Sequence, residues 1–321
     1  MDALSEVLRA VRLTGAAMLH ADLGAPWAIE AAASTALAKP FLPEADSPAV
    51  FHLLVAGECT LEAGTAGPVR LRAGEVAIVA HGEAHRLANG EGAQPVALAS
   101  LAKPPIAGEL APVVHGGRGE RTRIITGLAA MDRRLSDPLL ASLPAVLRVD
   151  LRGSPAAALL EDSLGLTLSE SDAPRPGGIA MLGSLAELVF IEAIGHHVEA
   201  TPPGATGWLA GLNDRFVGRA MALLHGRPGE DWTVEKLARQ VGISRSALAE
   251  RFTLVLGDSP IAYLTGWRLA LAARNLAGTH RAVEAIAKEA GYESVGSFSR
   301  AFKRVYAKPP STWRKRSRRR A

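Results

Sequence analysis

One helical pattern occurs twice near the carboxyl end of this 321-residue chain, over 233–252 and again over 283–302, and it constrains that region more than any other feature. Val234, Leu237, Ala238 and Val241 fall at i, i+3, i+4 and i+7, as do Val283, Ile286, Ala287 and Ala290, so each copy opens with a helix carrying one apolar stripe. Gly242 and Gly291 follow, where a helix end favours a left-handed residue. A second helix anchors through Leu248 and Phe252, or Phe298 and Phe302, each pair at i, i+4, and leaves its other face polar. Thr233 suits the N-cap of the first copy, with Trp232 placed to staple onto Leu237. Two hairpins in a helical bundle satisfy this pattern; so do two helix-turn-helix units whose second helices enter DNA major grooves.

Charge favours the second reading. Residues 208–321 hold 21 Lys+Arg against 9 Asp+Glu, the first 207 hold 15 against 23, and a formal net charge of +4 conceals this basic end. Such a domain gains counterion release on a polyanion. The closing run of Arg314, Lys315, Arg316, Arg318, Arg319 and Arg320 reads equally as a phosphate clamp or a solvated tail.

The stretch from Arg215 to Arg316 resembles the DNA-binding domain of the AraC/XylS transcription regulators. The resemblance rests on Gly291-Tyr292-Glu293-Ser294, on Phe298-Ser-Arg-Ala-Phe-Lys-Arg304 and on Pro309-Pro310-Ser-Thr-Trp-Arg314. It also rests on a long central helix over Pro260–Ala277 with Tyr263, Leu264, Trp267 and Leu271 as its buried side. It implies that Ser244, Arg245, Ser246, Ala249 and Glu250 face the bases in the first unit, and Val295, Gly296, Ser297 and Arg300 in the second. Arginine bonds guanine O6 and N7 bidentately, which makes Arg300 the strongest candidate, while Lys303 and Arg304 one turn on suit phosphates. Ala249 and Glu250 are short or acidic, so base reading in the first unit is expected to be weaker, or to use a cytosine contact through Glu250. A rigid central helix would set the two recognition helices in successive major grooves, about 34 Å apart.

Upstream, 48% hydrophobic composition and this length predict a second domain with its own core. The expected fold class is α+β. It comprises an antiparallel β barrel or sandwich of cupin type with flanking helices over 1–153, a helical segment over 154–200, a linker over 201–207, and an all-α DNA-binding domain over 208–321. Strands are predicted at Val50–Ala56, Cys59–Glu62, Val69–Arg72 and Val76–Val79, punctuated by glycines. The run Gly74–Asn89 resembles the second cupin motif, with Ala80 where proline is usual. Phe51–Gly57 and Asp137–Pro144 resemble the cupin sensor domain attached to a subgroup of AraC-type regulators.

Cupins often hold a metal with two histidines and a glutamate from the first motif and one histidine from the second. His85 matches the last, but Val50 stands at the glutamate position and no His-x-His precedes it, so no metal or other cofactor is expected. His52, His81 and His85 remain pocket candidates, either bonding within a barrel mouth or converging on a metal. A cupin enzyme fused to a DNA-binding domain is the rival function, but Glu58, Glu62, Glu75 and Glu83 are scattered and no catalytic pair is visible, so no enzyme is expected. The sensor domain is expected to take a small-molecule effector instead.

Ser154-Pro155 has the layout of a helix start, and Gly178–Ala200 carries Ile179, Leu182, Leu185, Ala186, Val189 and Ala193 on one face. That stripe either packs on its own barrel or, as the resemblance implies, joins two chains into a homodimer. The expected partners are double-stranded DNA, the effector, a second copy and RNA polymerase. The opening Met1–Glu6 lacks a basic region before an apolar core, no apolar run reaches membrane-spanning length, and a lone Cys59 forms no internal disulfide. The cytoplasm is the compartment these features predict.

Overall fold

Polar and apolar residues fail to alternate in the strands that carry the β-rich core. Glu75–Val79 is buried throughout, and so are the first six residues of Ala49–Ala56 and the last seven of Arg121–Ala130. Strands covered on both faces show this pattern.

The computed structural model describes residues 3–11, 13–43, 45, 48–102, 112–154, 178–202 and 204–317. They divide into a β unit, Leu13–Met131 with Leu143–His197, and a helical unit, Met1–Arg12, Asp132–Ser142 and Val198–Ala321.

In the β unit the strands are β1 (Thr14–Gly24), β2 (Trp27–Ala31), β3 (Ala49–Ala56), β4 (Glu58–Ala63), β5 (Val69–Arg72), β6 (Glu75–Val79), β7 (His85–Asn89), β8 (Pro95–Ala97), β9 (Pro112–Gly116), β10 (Arg121–Ala130) and β11 (Val146–Asp150). One sheet runs β11-β6-β3-β10-β1-β9, the other β5-β4-β7-β2-β8. Leu19, Leu23, Val50, Leu54, Ile124 and Leu128 from the first meet Trp27, Ile29, Leu61, Leu71 and Leu87 from the second in one core. The four strands expected from the glycine punctuation are present, shifted by a residue at most. The sheets form an open sandwich and not a closed barrel, since each has two edges, and β9 and β8 join by parallel pairing.

The helix Gly178–Glu199 lies against β1, where a side chain on Gly15 would fall 2.4 Å from the Gly183 carbonyl oxygen. The Gly15 N–H donates to Glu187 at 3.1 Å. Ala186, Val189, Phe190, Ala193 and Ile194 are buried, while Met181 and Ile191, on the opposite face, are 39% and 37% exposed. Of the stripe expected to serve either packing or dimerisation, Ala186, Val189 and Ala193 therefore belong to the β unit's own packing. Residues 155–177, with the expected helix start at Pro155, lie outside the described residues, as do the side chains of Ile179 and Leu182.

The helical unit contains α1 (Ala3–Val11), α2 and α3 being the short Ser34–Ala38 and Leu98–Leu101 of the β unit, then α4 (Arg133–Ala141). With Gly178–Glu199 as α5, it continues as α6 (Trp208–Asn213), α7 (Arg215–Gly226), α8 (Val234–Val241), α9 (Arg245–Leu256), α10 (Pro260–Gly278), α11 (Val283–Glu289), α12 (Val295–Tyr306) and α13 (Pro310–Ser317). Helices α1 and α4 precede the boundary expected at 153, yet they pack on α7 and α10, burying Val7, Val11, Leu135 and Leu139. Sequence position and spatial membership differ here because apolar helix faces pair wherever they fit, not with their chain neighbours.

A polar chain runs through this core. The Trp208 indole N–H donates to the Tyr263 hydroxyl at 2.9 Å, and that hydroxyl lies 2.8 Å from His225 Nε2. With its oxygen already accepting from Trp208, the hydroxyl donates onward and His225 Nε2 accepts, which requires the neutral ring. Burial pushes the His225 imidazole down to about 3. The unfolded ring takes a proton near its ordinary value while the folded ring does not, so stability is complete above that value and is lost as pH falls toward 3. The slope should reach about 1.4 kcal/mol per pH unit in that window. Chemical denaturation followed by tryptophan fluorescence reads this unit, which holds Trp208, Trp232, Trp267 and Trp313 but not Trp27. Stability should drop between pH 6.5 and 4.5 in the native chain, and His225→Gln should flatten the profile.

Candidate functional site

Each half of the repeat becomes a helix, a tight turn and a second helix. In the first, Thr233 Oγ1 accepts from the Lys236 N–H at 3.1 Å and starts α8, whose Leu237, Ala238 and Val241 are buried. Gly242 takes φ 84°, the N–H groups of Gly242 and Ile243 both return to the Ala238 carbonyl, and Ser244 Oγ then caps α9 through the Ala247 N–H. In the second, Gly291 takes φ 77°, the Tyr292 N–H returns to the Ala287 carbonyl, and Ser294 Oγ caps α12 through the Ser297 N–H at 3.1 Å. Leu248, Phe252 and Val255 bury one side of α9; Phe298 and Phe302 bury one side of α12. The remaining sides face solvent.

On α9 the side chains of Ser244, Arg245, Ser246 and Glu250 are exposed and Ala249 is half-buried. Two of this helix's three charged groups are engaged. Arg245 Nε bonds Glu235 at 2.7 Å, and Arg251 bonds Asp214, the N-cap of α7, through Nε at 2.8 Å and Nη2 at 2.7 Å. On α12, Val295, Gly296, Arg300, Lys303 and Arg304 are exposed, and Ser297 is half-buried with its hydroxyl turned back to the Ser294 carbonyl. Arg300, Lys303 and Arg304 form no salt bridge among the described residues. Of the terminal basic run, Arg314, Lys315 and Arg316 lie on or at the end of α13 and residues 318–320 lie outside the described residues.

Two residues hold this surface in place, Arg268, which carries no sequence signal, and Trp313, which is marked only as part of the Pro309–Arg314 run. Arg268 on α10 donates to the carbonyls of Pro228 at 2.6 Å and Glu230 at 2.8 Å, and its guanidinium abuts Gly291. It thereby ties the entrance of the first helix-turn-helix to the turn of the second. Trp313 donates from its indole to the Ala273 carbonyl at 3.1 Å and meets Phe302 edge-on and Tyr306 at a tilt.

The three histidines divide. His52 on β3 and His85 on β7 bring their Nε2 atoms to 2.7 Å and join the two sheets through the core, whereas His81 is exposed in a turn. His85 Nδ1 lies 2.9 Å from the Glu83 carbonyl oxygen, which only accepts, so Nδ1 carries the proton and Nε2 accepts. His52 must then donate from Nε2, and its Nδ1 accepts from the Thr126 hydroxyl at 2.8 Å. Burial, followed by the neighbouring His85, holds His52 well below the usual imidazole range, and burial lowers His85 as well. All four ring nitrogens are engaged by protein partners and no group of three metal-ligating side chains occurs among the described residues. The donor set does not fit the metal common in cupins.

A cupin family model matches residues 2–199, and a helix-turn-helix domain model matches residues 237–316. The chain belongs to the AraC-type transcription regulators with a cupin N-terminal domain. AraC-like transcription regulators of Streptomyces lividans and Streptomyces antibioticus are each 35% identical over 63% of this regulator, which spans 66% and 67% of their lengths. The transcriptional regulator AlkR of Acinetobacter baylyi is 27% identical over 99% of the chain and 100% of its own length. Among the described residues of this AraC-type regulator, no helix is long and apolar enough to cross a membrane.

The two turns of the regulator differ in what a side chain would meet. A Cβ at Gly242 would find open space, whereas one at Gly291 would fall 2.7 Å from the tethered Arg268 guanidinium. Gly242→Ala should cost about 1 kcal/mol, the strain of a left-handed alanine. Gly291→Ala should cost more, because Arg268 must also leave its two carbonyls. Equal losses in paired denaturation curves would contradict this bracing role.

Proposed function

We propose that this chain regulates transcription by reading double-stranded DNA in a sequence-specific manner through α9 and α12, and that its cupin region senses a small molecule and catalyses no reaction. The unpaired, exposed Arg300, Lys303 and Arg304 on α12 carry the reading. A guanidinium free of carboxylates is available to guanine O6 and N7, and cations one turn on are available to phosphates. In this reading Ser244, Ser246, Ala249 and Glu250 of α9 and Val295, Gly296 and Ser297 of α12 lie at the base edges, and Arg245 must exchange Glu235 for DNA. Helix α10, with 19 residues, is about 28 Å long and suits two readers in successive grooves. A bidentate arginine contributes roughly 1 to 3 kcal/mol of discrimination. Arg300→Ala should therefore lose about 5- to 150-fold of preference for a selected site over random duplex while keeping salt-sensitive nonspecific binding. Equal loss on both duplexes would refute the role.

A cupin enzyme fused to a DNA reader is disfavoured because His52 and His85 spend their nitrogens on each other, Thr126 and Glu83. Glu75, the buried carboxylate nearby in sequence, accepts from the Arg72 N–H at 2.9 Å. We assign the chain to the cytoplasm, with RNA polymerase as a further contact.

We further propose a homodimer through the outer face of α5. Met181, Ser184, Leu188, Ile191 and Gly195 recur at three- and four-residue steps on that face, the layout of a helix–helix seam. Leu188→Glu with Ile191→Glu should yield a folded monomer in sedimentation with weakened operator binding, and a dimer that persists would rule out this face.

A further inference from the structure

Two valines of α12 are incompletely covered, Val305 in its last turn at 55% exposure and Val295 at its start. Val295, the first residue of the helix, is 39% exposed, although the anchors of α12 are Phe298 and Phe302 and its cap is Ser294. A β-branched side chain with more than a third of its surface in water at a helix start gains only part of what full burial would bring. Beside it is a second irregularity. Gly296 is exposed within the first turn, where glycine weakens a helix, and the Arg300 guanidinium is folded back along the helix so that Nη1 lies 3.7 Å from the point a Cβ at Gly296 would occupy. The leading turn therefore presents two methyl groups, a bare backbone and a five-donor guanidinium side by side. Each has a complement on the major-groove edge. The thymine 5-methyl is the apolar group among the four standard bases there, and guanine O6 with N7 is the bidentate acceptor.

Building on the DNA-reading function above, we propose that the leading turn of α12 reads a thymine and a nearby guanine together: Val295 packs against the thymine 5-methyl, and Arg300, drawn back over Gly296, takes the guanine. Leaving Cβ off residue 296 lets the helix backbone approach the base edges. Specificity in this half-site thus combines an apolar and an ionic contact from one helical turn.

Deoxyuridine tests this directly, since it differs from thymidine only by the absent methyl. The full chain is used to select its preferred duplex from a random library, and each thymine of that duplex is then replaced in turn. At one position deoxyuridine should weaken binding about fourfold, the worth of one buried methyl-sized group. Val295→Ala should bind the thymine duplex more weakly and lose that sensitivity, Val295→Thr, which keeps one methyl, should restore part of it, and 7-deazaguanine within the same half-site should weaken the native chain and Val295→Ala alike but not Arg300→Ala. A selected sequence whose thymines all tolerate deoxyuridine, or a sensitivity that survives Val295→Ala, overturns the proposal and leaves sequence-specific reading intact. Failure to select any sequence overturns both.

Discussion

Both recognition helices take their positions from α10, and the rest of the helical unit depends on its being buried on two sides. Leu264 and Trp267 are buried, Trp267 lies against His225 of α7, and the neighbouring Tyr263 meets Phe252 of α9 in the first helix-turn-helix. Leu269, Ala272, Ala273 and Leu276 form one cluster with Ile286, Ala287, Phe298 and Phe302 of the second. Truncating a buried phenylalanine costs about 3 to 5 kcal/mol, a large part of a domain's total stability, so neither reader can loosen without the shared helix losing a core. Arg268 adds a polar tie between the same two halves at the level of the turns. The rigidity that the proposed reading of successive grooves would require therefore comes from side-chain packing along one helix.

The β unit has an equivalent in miniature. Its two sheets share an apolar core, yet at the centre stands the His52–His85 bond, whose direction is fixed from Thr126 at one end to the Glu83 carbonyl at the other. A buried pair of this kind costs free energy unless every nitrogen is satisfied, and here every one is. It also fixes which faces of β3 and β7 meet across the sandwich, because a shift of one residue would turn either ring to the other face. Thr126 belongs to β10, which pairs with β1 from Thr14 opposite Ala130 onward. Two residues separate β1 from α1, and two separate β10 from α4.

What the sequence reveals follows the range of the interactions. Gly242, Gly291 and Thr233 act within four residues, and both turns and the first helix start are legible for that reason, whereas the capping roles of Ser244 and Ser294 emerge only in the structure. The strands at 50–79 are legible from their glycines. The buried side of α10 is only half legible: Leu264 and Trp267 are on it, but Leu269, Ala272, Ala273 and Leu276 line a second face, and a helix covered on two sides has no single stripe to read. Three histidines are visible as candidates, yet only strand parity, set by long-range pairing, admits His52 and His85 and leaves His81 in a turn. The membership of α1 and α4 is illegible for the same reason, as it rests on partners more than seventy residues away in the chain. Nor does spacing forecast that Arg245 would find Glu235, since the two meet only once Gly242 has reversed the chain.

Those pairings give the two readers different work. Arg245 and Arg251 are drawn into salt bridges that hold α9 against α8 and α7, and exposed pairs of this sort contribute little to stability, typically 0 to 1 kcal/mol. Their larger effect is on the surface, where they neutralise the first recognition helix and leave Glu250 as its exposed free charge. Helix α12 retains all three of its cations for an external anion. Under the proposed function, electrostatic attraction would fall on the second unit, while in the first the Glu250 carboxylate would repel phosphate and suit a donor edge such as cytosine N4. On that proposal a polyanion would meet a cationic helix and a nearly neutralised one held apart by α10, and the difference in charge would bias how the regulator lies on its site.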